Sequence, residues 1–154
     1  MLQRGYTKTY TEKNYEKVRG MQKKWQKQHK EHLNQWQKQR RKISIEFRLG
    51  QNMGWTLRKN LKGKKAGRRW ETLVGYTIED LIEHLESKFE PWMTWENYGK
   101  WHVDHIIPKS HFKYRSTDDP EFKKCWALDN LQPLDGIENM RKGDRIITLI
   151  DKQK

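Results

Sequence analysis

Asp104 and His105 stand side by side, a hard oxygen ligand next to a group that titrates near neutral pH. Such a pair suits hydrolysis in which a divalent cation and a proton acceptor work on one substrate. Both lie in Trp101-His102-Val103-Asp104-His105-Ile106-Ile107-Pro108. Val103, Ile106 and Ile107 are β-branched and Pro108 stops the run, so a short strand is expected. Downstream, Asn130 lies in Leu128-Asp129-Asn130-Leu131-Gln132-Pro133-Leu134, and Asn139 in Glu138-Asn139-Met140-Arg141-Lys142-Gly143. Residues 131–134 read as a second strand. Residues 136–142 read as a short helix ended by Gly143, a residue suited to the left-handed position after a helix. An isolated Asp-His pair is an ordinary strand end. Here four polar residues recur in a fixed order of strand, long loop, strand and helix.

That order resembles the HNH nuclease family and its ββα-metal fold, strictly over about 101–144 and more loosely back to about Ile45. The phrase from Trp95 to Pro108 is similar to phage and mobile-element HNH proteins. By position, the resemblance implies Asp104 as a metal ligand, His105 as general base, Asn130 as a brace for the loop holding the base, and Asn139 as the second protein ligand. Many relatives frame this fold with two cysteine pairs around zinc. This chain has only Cys125, so no structural zinc is expected and packing must hold the fold.

The implied chemistry needs these residue types. Phosphodiester hydrolysis requires an activated water, charge neutralisation at the phosphate and help for the leaving oxygen. A divalent ion on Asp104 and Asn139 would supply the last two, and oxygen ligands favour Mg²⁺ or Mn²⁺. Neutral His105 would take the proton from water. His102 lies two residues before Asp104 and shares its face in a regular strand. Holding a phosphate oxygen, orienting Asp104 and ligating metal all stay open for it.

The rest of the chain must position this strand and bring substrate to it. Residues 1–70 hold 21 Lys and Arg against 4 Glu, a net +17, whereas residues 71–154 hold 12 against 16 Asp and Glu, a net −4. The first half reads as a polyanion-binding arm and the second as a catalytic body. The expected class is α+β: a basic, mostly helical extension over 1–69 and a nuclease domain over 70–154. No apolar run approaches a membrane span and no signal-peptide core precedes the first helix, so a cytoplasmic, intracellular protein without membrane contact is expected.

One long helix is expected from Thr11, as N-cap, to about Arg41, with Val18, Met21, Trp25, His32 and Trp36 as a narrow stripe. The stripe could dock on the body, on DNA or on a second copy. A second helix is expected over 45–61, with Arg48, Arg58 and Lys59 turned to solvent or phosphate. The loop Lys62-Gly63-Lys64-Lys65-Ala66-Gly67-Arg68-Arg69 combines backbone access with cations that neutralise phosphate. Lys109 and Lys142 are further candidates for phosphate contact near the cut. Thr77 caps the clearest amphipathic helix, with Ile78, Leu81, Ile82, Leu85 and Phe89 on one face and an exposed, inert His84. Asp119-Pro120-Glu121 should start a short helix carrying Phe122, Cys125 and Trp126 inward. Residues 146–150 form an apolar tail.

The expected function is metal-dependent hydrolysis of double-stranded DNA. The resemblance implies a phage or mobile-element setting, with genome packaging or homing and a packaging partner or homodimer as company. Two rivals differ in class: a DNA- or RNA-binding module on an inactive HNH scaffold, and a structural basic protein that dimerises through its long helix.

Overall fold

The computed structural model describes residues 8–61 and 67–146. Lys62, Lys64, Lys65 and most of the apolar tail therefore lie outside the described residues. The chain is α+β, mostly helical with one two-stranded antiparallel sheet. It divides into two compact units, 1–44 and 45–154.

The first unit holds α1 (Lys8–Lys13), α2 (Tyr15–Gln28) and α3 (Lys30–Ile43). Thr11 lies inside α1 instead of capping it. The single expected helix is interrupted at Asn14 and His29. At each break a side chain competes with the backbone for a carbonyl one turn back: Asn14 Nδ2 donates to Tyr10 O at 3.1 Å, and His29 Nδ1 lies 2.8 Å from Trp25 O. The i→i−4 ladder still crosses both points, so these are local openings and not turns. Among described residues α2 buries only Val18, and α3 buries none.

The second unit begins with α4 (Ile45–Asn60). Its 3–4-residue spacing places Leu49, Met53 and Leu57 on one buried face, which packs this helix into the second unit. Arg48 departs from its expected solvent face: it donates to Trp95 O at 3.1 Å and lies 4.5 Å over the Tyr98 ring. After α5 (Trp70–Val74), α6 (Ile78–Glu86) starts with a complete capping box. Asp80 N donates to Thr77 Oγ1 (3.1 Å), and Thr77 N donates to Asp80 Oδ2 (2.8 Å). Leu81 and Leu85 are fully buried against α4 and the sheet. His84 is not inert; its Nε2 is 2.9 Å from Leu131 O and ties α6 to the sheet.

Phe89, Trp95, Tyr98 and Trp101 form a ring cluster with centroids 4.7–6.0 Å apart that leads into β1 (Trp101–His105). Asp119 then caps α7 (Pro120–Trp126), accepting from Glu121 N at 3.1 Å, and Phe122, Cys125 and Trp126 turn inward as expected. β2 (Leu131–Asp135) pairs with β1 in the register His102↔Leu134, Asp104↔Gln132 and His105↔Leu131. Asp135 caps α8 (Gly136–Lys142), accepting from Ile137 N and Glu138 N at 2.8 and 3.0 Å. Gly143 follows with φ +57°, a value that favours glycine. Among the described residues no helix is long and apolar enough to cross a membrane.

Candidate active site

Alternation along β1 divides its side chains between two layers. Trp101, Val103 and His105 face the core, where the His105 ring meets Trp126 edge-on at 4.7 Å. His102 and Asp104 face α8. Close packing there depends on Gly136, since a Cβ at that position would lie 2.9 Å from Lys100 O and 3.4 Å from the His102 ring.

Asp104 is anchored through one oxygen. Lys142 Nζ donates to Oδ2 at 2.5 Å and Gln132 Nε2 at 3.1 Å. Among the described residues nothing donates to Oδ1. Lys142 also donates to the His105 carbonyl and is only 1% exposed. Its expected role in phosphate contact is therefore corrected. Three residues after Asn139, it lies on the α8 face that packs on β1, and its ammonium is enclosed by groups that neutralise it.

Asn139 Nδ2 lies 3.3 Å from His102 Nδ1. With the amide as donor, His102 accepts at Nδ1 and carries its proton at Nε2. His102 thus orients Asn139 rather than Asp104, although it shares a strand face with the latter.

Asn130 is buried and satisfied by backbone alone. Its Oδ1 accepts from Ile107 N (2.8 Å), while Nδ2 donates to Ile107 O (3.2 Å) and Cys125 O (2.9 Å). Ile106 N adds a bond to Asn130 O at 2.8 Å. The turn immediately after His105 is fixed from both sides. Asn130 is accordingly a positioning residue and touches neither cavity described below.

His105 is 7% exposed, and its Nε2 is a buried nitrogen without a hydrogen-bond partner. Such orphaned groups are uncommon in folded proteins. Burial, reinforced by the positive charges of Lys109 and Lys142, pulls the imidazole from its ordinary 6.5 down to about 3. Proximity to Asp104 in sequence does not offset this. The carboxylate sits on the opposite face of the strand with Lys142 against it. Burial also lowers the Lys109 ammonium from its usual range.

A cavity of about 290 Å³ gathers these groups, with Asp104, His105, Lys109 and Asn139 in its wall. Asp144 also lines it, a residue that the motif does not single out. Gln132 is equally hidden in the sequence. Its place opposite Asp104 follows from strand register, and a long loop between the strands leaves register unreadable from sequence. Among the described residues no cluster of three His, Cys, Asp or Glu side chains could by itself hold a metal.

The outlying basic candidates separate. Arg58 is exposed on α4, and Arg68 and Arg69 are exposed before α5, Arg69 pairing with Glu71 at 3.0 Å. None of the three lines the cavity.

The chain is similar to "Uncharacterized protein L426" of Acanthamoeba polyphaga mimivirus, at 32% identity over 154 residues, covering 91% of this chain and 67% of that protein. It is also similar to "Uncharacterized protein L246" of the same virus, at 28% identity over 108 residues, covering 70% of this chain and 46% of that protein. The chain thus spans less than half of the second relative. No family model matches, and no solved structure matches.

Proposed function

The chain belongs to the same family as mimivirus protein L426, and we propose that it is a metal-dependent endonuclease of the HNH type acting on DNA. In this reading β1, β2 and α8 are the ββα-metal core. One observation carries it: Asp104, His105 and Asn139 line a single cavity, and among the described residues the buried His105 Nε2 has no hydrogen-bond partner.

The donor set fits a small oxygen-seeking cation. Asp104 and Asn139 offer few protein oxygens, and Mg²⁺ keeps several waters and binds through one or two carboxylates together with substrate phosphate. When bound there, Mg²⁺ or Mn²⁺ would supply Lewis-acid neutralisation at the phosphate. The chain's own groups do the rest. Lys142 and Gln132 hold Asp104 by Oδ2 and leave Oδ1 for the ligand role. His102 takes up the Asn139 NH₂ group and leaves its carbonyl oxygen for the same purpose. His105, neutral at physiological pH, accepts the proton of the attacking water at Nε2, which requires its other nitrogen to carry hydrogen. A phosphodiester anion beside Lys109 opposes the positive field that weakens this base, so the imidazole becomes a stronger acceptor when substrate binds. Asn130 fixes the backbone that carries it. The excess of cations over residues 1–70 binds the polyanion.

A second reading rests on the same ion pair: with Lys142 already neutralising Asp104, the scaffold would bind nucleic acid without cutting it. Nicking of supercoiled plasmid in Mg²⁺ and in EDTA separates the two. Cleavage in Mg²⁺ alone, with an unchanged melting temperature in EDTA, is the expected result. Binding without cleavage under any divalent ion would favour the second reading.

A further inference from the structure

A second cavity of about 520 Å³ adjoins the first, and the two share Val103, His105, Lys109 and Asn139. Its far wall is α4. Asn52 and Thr56 line it one turn apart above the buried Leu49 and Met53, Asn52 Nδ2 donating to the Tyr98 hydroxyl at 3.1 Å, and Trp55 stands at the rim, 64% exposed. Trp55 is more exposed than Trp25, Trp36 or Trp92, the other exposed tryptophans among the described residues. Lys59 lies 5.2 Å over the Trp55 ring, and Lys109 adds a second cation to the wall shared with the catalytic cavity. The volume falls within the roughly 300–1,000 Å³ typical of small-molecule sites.

We infer that this cavity receives one unpaired nucleobase of the nucleic acid whose neighbouring phosphate occupies the catalytic cavity. The inference rests on the nuclease reading for the identity of that phosphate. A base has apolar faces and a polar edge, matching an aromatic platform at Trp55 and the polar side chains of Asn52, Thr56 and His102 in the wall. The flanking lysines match the charge of the connecting backbone. In a continuous duplex both base faces are stacked and cannot enter such a cavity. The preferred substrate is therefore single-stranded or locally unpaired next to the cut, which narrows the expectation of plain double-stranded DNA. Trp55 acts here in binding and specificity and takes no part in bond cleavage.

The test uses the full chain and fluorescence anisotropy at one salt concentration. The probes are a single-stranded dodecathymidylate and an abasic dodecamer of equal charge. Stacking on one aromatic residue is worth about 1–3 kcal/mol per base, or roughly 5- to 150-fold in affinity. Wild type should prefer the base-bearing strand by at least that lower bound. Trp55→Ala should remove most of the preference while leaving affinity for the abasic strand unchanged, and Trp55→Phe should retain part of it. Equal binding of both strands by wild type would overturn the inference, as would a preference that survives Trp55→Ala. Cleavage in Mg²⁺ is measured separately. Cutting without base preference sinks the pocket and spares the nuclease, whereas base preference without cutting does the reverse.

Discussion

The two units of this chain use aromatic and basic residues in opposite ways. In residues 1–44, 13 Lys and Arg stand against 3 Glu, and Tyr15, Met21, Trp25 and Trp36 are each 47–58% exposed. In the second unit Trp70, Trp101 and Trp126 are buried, Arg48 is drawn onto Tyr98 and Trp95, and Lys142 is enclosed completely. The same residue types mark a surface in the first unit and, at these positions of the second, a packed interior, although Trp55 of the second unit is itself 64% exposed. Composition alone does not tell them apart. What separates them is whether aliphatic residues recur beside them at helical spacing, as Leu49, Met53 and Leu57 do on α4.

That contrast can be broken most forcefully in the core. Leu85→Ala removes a fully buried side chain between α6 and α4, and should cost about 2–5 kcal/mol in urea unfolding. Trp25→Ala, on the exposed stripe, should stay within about 0.5 kcal/mol. A comparable destabilisation at both positions would mean that the first unit packs as tightly as the second.

Asn130→Ala should come next. It strips partners from Ile107 N, Ile107 O and Cys125 O, and orphaned buried groups cost about 1–3 kcal/mol. The turn after His105 should loosen with it, so the cleavage rate should fall at saturating Mg²⁺. An unchanged rate would show that the turn holds its shape without this side chain.

The pH dependence sharpens the account of His105. Its folded pKa, about 3, lies below the ordinary 6.5, so protonation favours the unfolded chain. The stability linked to this group is complete above 6.5 and is lost as pH falls from there towards 3. His105→Gln should flatten the decline in melting temperature between pH 7 and 5 relative to wild type. Parallel declines would place the imidazole in a more solvated setting.

The smallest effect concerns the first unit. Deleting residues 1–44 should flatten the salt dependence of DNA affinity, by about 0.9 in log–log slope for each phosphate that this arm neutralises. An unchanged slope would assign that unit to another purpose, such as association between copies.

Much of the site is legible in the sequence because its signals are local. A β-branched run stopped by Pro108, a capping Asp119 before Pro120 and Gly143 after a short helix each depend on neighbours in sequence, and they place β1, α7 and α8 correctly. The departures from expectation share a different cause. Lys142 reads as a phosphate contact because a lysine after Asn139 gives no local sign that its helix face is covered. Arg48 and His84 read as solvent-facing, yet their partners Trp95 and Leu131 lie 47 residues away. The breaks at Asn14 and His29 are hidden because helix propensity outweighs a single side chain competing for a carbonyl. Long-range pairing, and not residue chemistry, is what the linear chain conceals.

The central claim divides two roles between adjacent residues, and one paired measurement reaches it directly: Mg²⁺ titration by calorimetry beside single-turnover DNA cleavage, for Asp104→Ala and His105→Ala. Asp104→Ala should lose metal binding and cleavage together. His105→Ala should keep metal binding while the rate falls by about 10²–10⁴, the usual scale for a positioned general base. Cleavage at the wild-type rate by His105→Ala would move the base elsewhere, and retention of both metal and activity by Asp104→Ala would contradict the assignment of the whole strand.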